Sequence, residues 1–247
     1  MHLASKQNKC KFDPQFKKIS IYMTTLKQQL TSSIGKKVVM AATGLFLCVF
    51  LIEHLYGNIL LYFNDGGLAF NEYSHDAVRN ILIRIVEIVL FAAIIIHVVQ
   101  ALIITNDNRR ARPIKYAVST STEGSSWFSR NMGLTGSVVL FFIVIHLYHF
   151  FFPYRITKDH THTIAQMVKI GFQDPIYVAI YVVGVTFLFF HLNHAFRSAF
   201  HTLGLSSKKY ASVWQMAGSG FAWLMWIAFA SFPILFYFGI AGKSIQI

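Results

Sequence analysis

VVMAATGLFLCVFLIEHLYGNILLYF, residues 38–63, reads as a membrane span with one carboxylate, Glu53, and one imidazole, His54, set inside it. A bilayer core takes about 20 consecutive apolar residues in a helix. Inside it every backbone polar group has to be satisfied within the segment, so a run of this kind is helical. Three more spans repeat the pattern. They run from about Ile81 to Thr105, from about Met132 to Phe152 with Pro153 closing it, and from about Pro175 to Phe200. Each carries a histidine in apolar surroundings: Ile95-Ile96-His97-Val98, Ile145-His146-Leu147-Tyr148 and Phe189-Phe190-His191-Leu192. A fifth span, from about Val213 to Gly239, has none. The alternating pattern of a membrane barrel is absent. The fold class is therefore an all-α membrane protein with five transmembrane helices, the first four forming a bundle around their histidines.

Composition agrees. Charged residues make up 13% of the chain and mean hydropathy is +0.50, whereas a soluble domain carries about a quarter charged residues. The net charge of +12 comes from residues outside the spans. It points to lipid, a partner subunit and control of topology, and away from nucleic acid. Residues 1–36 form a basic segment and residues 37–247 the membrane domain. Ser20–Leu30 reads either as an interfacial helix or as a flexible tail, Met23 is an alternative start, and no early apolar core marks a signal peptide. Of the 22 Lys and Arg residues, 16 fall on the N-terminal side of the spans and 6 on the other. The N-terminus is thus expected inside and the C-terminus outside. Cys10 and Cys48 form no cluster, so an iron–sulfur centre of the chain's own is not expected, nor is a disulfide.

Depth is the informative quantity. A helix rises about 1.5 Å per residue. Counted from Lys37, His54 lies about 25 Å from the inner side, and counted from Asn131, His146 lies about 22 Å from it. Counted back from Thr105, His97 lies about 12 Å from the inner side, and from Arg197, His191 lies about 9 Å from it. The histidines therefore form an outer level, His54 with His146, and an inner level, His97 with His191. Ionisable groups at such depth mark function by default. Two imidazoles from facing helices at one depth can clamp a planar tetrapyrrole, so two levels would hold two stacked haems. A proton relay or ion transporter is the other use of intramembrane histidine, but mid-span carboxylates are limited to Glu53 and Glu87. Buried histidines satisfied by backbone are the third.

Other residues stay open. His149 and His194 follow His146 and His191 by three positions and share nearly the same face. Either could replace its neighbour or hydrogen-bond a propionate, a quinone or the backbone. Glu87 could feed protons to a quinone or simply pair with Arg84. Arg197 marks the inner interface or meets a propionate. His75, His160 and His162 are expected in solvated loops. Gly44 and Gly136, each ten residues before the histidine of its span, and Gly184 allow close approach of a ring or a helix.

Ala42-Thr43-Gly44-Leu45-Phe46-Leu47 leading to His54, Thr135-Gly136 leading to His146-Leu147-Tyr148, and Tyr181-Val182-Val183-Gly184-Val185 leading to Phe190-His191 together resemble the di-haem cytochrome b subunit of succinate:quinone oxidoreductases, over about residues 33–240. The resemblance implies a five-helix anchor with two b haems, the outer on His54 and His146 and the inner on His97 and His191 as axial iron ligands. It implies a flavoprotein and an iron–sulfur partner in the same complex and a quinone, often menaquinone, whose residues it does not place; Glu87 and His149 are candidates from their positions alone. It also implies the inner (cytoplasmic) membrane of a cell, and electron transfer rather than succinate chemistry in this chain. Rival readings are the di-haem anchor of a hydrogenase or formate dehydrogenase, and a haem-free transporter.

Overall fold

The structure is a computed structural model, and it describes residues 28–29, 31–110, 131–158, 161–207 and 209–247. Most of the basic N-terminal segment and of the Ser20–Leu30 stretch lies outside the described residues, as do Cys10, Met23, Arg112, Lys115, Arg130, His160 and Lys208. Among the described residues five helices are long and apolar enough to cross a membrane, and there is no strand. The chain is an all-α, multi-pass membrane protein.

Helix α1, Ser33–Ile59, starts where the Ser32 hydroxyl accepts the Gly35 amide at 3.0 Å, supplying a partner for one of the amides that a helix start leaves without one. It ends in a 3-10 turn, Leu60–Tyr62. A short helix α2, Leu68–Arg79, precedes the second span, α3, Ile81–Arg110. The third span is α4, Met132–His146, continued by a π-helical segment, Leu147–Thr157. Helix α5, Ile164–Gly171, carries a capping box between Thr163 and Gln166. The fourth span, α6, Pro175–Thr202, starts with Asp174 accepting the Ile176 amide at 2.7 Å and with a proline where its missing N–H costs nothing. The fifth is α7, Ala211–Tyr237.

Three expectations are corrected. The third span does not close at Pro153: the helix passes through it to Thr157 in the wider π geometry. A proline clashes with the carbonyl four residues back in an α-turn, and the i→i+5 register moves that carbonyl off the ring. Helix α3 continues past Thr105 to Arg110, because polar residues beyond the apolar run still extend a helix. There Asp107 holds Lys36 of α1 at 2.7 Å. Lastly, both connections at the far end contain helices, and His75 lies on α2 rather than in a loop.

The far end is closed by these short elements. Asn71 of α2 accepts the Ala165 amide of α5 at 3.0 Å. The segment after α7 is tied to α5 by Lys169 and Gln166, which donate to the carbonyls of Ile245 and Gln246 at 2.6 and 2.7 Å. Along the bundle, α6 is the central helix and packs against α1, α4 and α7, while α3 packs on α1 and α2. Helix α3 and the π-helical continuation of α4 touch at the far end, through the Phe91–Phe151 rings and the Glu87–Arg155 ion pair. Elsewhere a cavity separates α3 from α4.

Buried Gly184 of α6 admits the Phe142 ring of α4 so closely that a Cβ there would overlap it. Gly184→Val is expected to push α4 and α6 apart and lower stability by about 1–3 kcal/mol, the usual cost of overpacking, read as a lower thermal midpoint in detergent. A second expectation concerns Asp65, whose carboxylate accepts the Ala69 and Gly67 amides at 2.9 and 2.8 Å and is held below its ordinary range by them. A depressed pKa places this contribution above the unfolded carboxylate value of about 3.9 and removes it as pH falls through the folded value. Hydrogen exchange at the Ala69 and Gly67 amides is expected to lose protection at low pH in the native protein and to show no such pH step in Asp65→Asn.

Candidate functional site

Each of the first four spanning helices carries its histidine to a fixed depth, and the bundle sets which two face each other. The rings of His54 on α1 and His146, the last residue of α4, have centroids 5.7 Å apart at 88°. Those of His97 on α3 and His191 on α6 are 6.3 Å apart at 73°. The two pairs that the depth arithmetic groups are the two pairs in contact. All four histidines line one cavity of about 2590 Å³.

The surroundings of the two pairs differ. His54 is stacked on Phe50 at 5.5 Å and flanked by Phe229 of α7 at 5.7 Å. His146 sits among Phe142, Phe150 and Tyr181. At the other level, glycines back both rings. A Cβ on Gly44 would stand 3.3 Å from His97 Cε1, and one on Gly136 would stand 3.4 Å from His191 Cε1. The Gly44 and Gly136 expectations thus resolve to a histidine ring each, and Gly184 to plain helix packing. His97 Nδ1 lies 3.1 Å from the Thr43 hydroxyl. His191 Nδ1 is buried with no hydrogen-bond partner among the described residues.

His149 shares the Phe150 and Tyr181 rings with His146 but does not join the first pair. Its Nδ1 meets the Tyr181 hydroxyl at 3.2 Å, and its ring stacks between Tyr177 and Phe150 at 4.1 and 4.3 Å. It opens onto a separate cavity of about 400 Å³ shared with His162 and Asp174. The cause is the π-helical segment: its wider turn holds more residues, so three positions no longer return to nearly the same face. His194 lines the main cavity below His191, whereas Arg197 is exposed and outside it. Glu87 pairs with Arg84 at 2.7 Å, and also with Arg155 at 3.3 Å across the gap to the π-helical segment. Glu53 accepts a hydrogen bond from Tyr73 of α2 at 2.6 Å, and burial together with that carboxylate pushes the Tyr73 phenol above its ordinary range.

The residues missed from the sequence are Thr43, Phe229 and Arg155. Thr43 was findable: it lies 11 residues before His54, about 16 Å lower on the same helix, at the level of His97. Phe229 and Arg155 come from elements whose facing depends on tertiary packing.

The donor set fits a metal already held in a flat ring. Among the described residues no group of three or more His, Cys, Asp or Glu is placed to hold an ion alone, so a free ion would find two protein ligands per level. A metal–imidazole bond of about 2 Å on either side puts two ring centres roughly 6 Å apart, the separation both pairs have. Single drug-sized ligands occupy about 300–1,000 Å³, so this cavity has room for two large planar groups. Comparison of the chain with family models, with curated proteins and with solved structures finds no match.

Arg155 is mostly buried, its side chain 18% exposed, and Glu87→Gln would leave it facing the cavity without a carboxylate. A double-mutant cycle of Glu87→Gln with Arg155→Gln is expected to return a coupling of about 0.5–3 kcal/mol in detergent unfolding.

Proposed function

We propose that the chain is the membrane-anchor cytochrome b of a succinate:quinone oxidoreductase, passing electrons from an iron–sulfur partner through two b haems to a quinone. The observation that carries this reading is the pairing of four intramembrane imidazoles at two depths in one cavity. His97 and His191 would be the axial ligands of the haem nearer the basic end, and His54 and His146 those of the other. Each haem, when bound, supplies a one-electron ferric–ferrous couple. The chain's own part is to fix the ligand planes, to exclude water with the aromatic shell around His54 and His146, and to set the potentials through burial and hydrogen bonds.

The basic end, with Lys37, Arg109 and Arg110, is the docking side for the iron–sulfur and flavoprotein subunits and lies in the cytoplasm under the positive-inside rule. The membrane is then the inner, cytoplasmic one. At the far end a quinone, menaquinone being the expected kind, takes up two electrons and two protons. Glu87 at the mouth of the main cavity and His149 in the smaller one are the candidates for handling those protons.

The test is a pyridine haemochrome assay with reduced-minus-oxidised spectra on the complex purified in mild detergent. Two haems b per chain with sharp low-spin bands are expected, with flavin and iron–sulfur subunits co-purifying. His97→Ala and His191→Ala should lose one and the same haem, and His54→Ala and His146→Ala the other. Folded wild-type protein without haem refutes the reading. Haem with a different soluble partner moves the anchor to another quinone-linked dehydrogenase.

A further inference from the structure

We propose that Thr43 is a positioning residue for His97, holding the imidazole by Nδ1 so that Nε2 is the nitrogen left free for a metal. The proposal rests on the haem-binding reading above. Thr43 Oγ1 has a single hydrogen, and two backbone carbonyls of its own helix compete for it: Val39 at 2.9 Å and Met40 at 3.1 Å. With the hydrogen given to a carbonyl, the oxygen faces His97 Nδ1 at 3.1 Å as an acceptor. That contact selects the tautomer that carries its proton on Nδ1 and a lone pair on Nε2. Gly44 completes the seat. The His97 atoms that would face a Cβ there are Cε1 at 3.3 Å and Nδ1 at 3.8 Å, with Nε2 beyond 4 Å. A hydrogen bond from the far nitrogen fixes ring orientation and makes the ligating nitrogen a stronger donor.

The arrangement is one-sided. His191, across the same level, has no partner for Nδ1 among the described residues, and the corresponding edge of its ring lies against Gly136. Thr43 thus distinguishes one ligand of one haem, and the second haem serves as an internal control. Stronger donation favours the ferric state, so removing the hydroxyl is expected to raise the potential of the His97 haem alone.

The experiment is an optical redox titration of the purified complex with Thr43→Val, which keeps the shape and removes the hydroxyl, and Thr43→Ser, which keeps the hydroxyl. The haem missing from His97→Ala identifies which midpoint to follow. In Thr43→Val both haems are expected to remain. The His97 haem is expected to shift toward the ferrous form by up to about tenfold at fixed poise, up to about 59 mV for one electron. The other midpoint stays in place, and Thr43→Ser matches the wild type. Loss of that haem in Thr43→Val with retention in Thr43→Ser supports the same assignment. Unchanged midpoints in Thr43→Val, or an equal shift in Thr43→Ser, overturn it while leaving the haem reading intact. Wild-type protein without haem overturns both.

Discussion

An imidazole deep in hydrocarbon has no water to satisfy it, and a ring nitrogen left without a partner inside the bundle is costly. That constraint organises the rest of the structure. Because only helices cross the membrane here, each histidine is fixed at one height by its position in its own span. The antiparallel order of the spans then decides which heights coincide. Helices α1 and α4 run one way and deliver His54 and His146 to one level; α3 and α6 run the other way and deliver His97 and His191 to the second. The central position of α6, packed against α1, α4 and α7, keeps the two levels in one enclosure. The short helices α2 and α5 and the C-terminal segment close it at one end.

Within that frame the two levels are built from different materials. The His54–His146 level is walled by aromatic rings, including Phe229 from the fifth helix, which thereby does more than buttress the bundle. The His97–His191 level is walled by glycines and one hydroxyl. Aromatic walls fill space and repel water; a glycine seat brings a neighbouring backbone against the ring and allows a small polar group to reach it. The same residue type, histidine, is thus set in two distinct electrostatic surroundings about 10–15 Å apart along the helix axes.

Much of this is legible in the sequence. Five spans follow from hydropathy, and the grouping of the histidines follows from helix rise alone, since depth is a one-dimensional property that a sequence encodes directly. Rotation about the axis is not. His149 looks equivalent to His146 by α-helical spacing, and the π-helical segment turns it toward Tyr177 and Tyr181 instead. Glu87 reads as a partner of Arg84 on its own helix, but Arg155 reaches it from another helix. The stretches that read as loops, Leu68–Arg79 and Ile164–Gly171, are helices held by caps and by contacts with each other, and neither has an apolar run long enough to announce it.

The separation between α3 and α4 has a consequence for how small molecules meet this protein. Leu102 and Leu134, on those two helices, line the cavity and are also 66% and 57% exposed, so the enclosure reaches the surface that faces lipid. A molecule approaching by that side comes out of the hydrocarbon phase. Its occupancy then follows its mole fraction in the membrane rather than its molarity in the buffer. Adding detergent at constant total ligand dilutes it, and apparent affinities measured in micelles scale with the micellar volume.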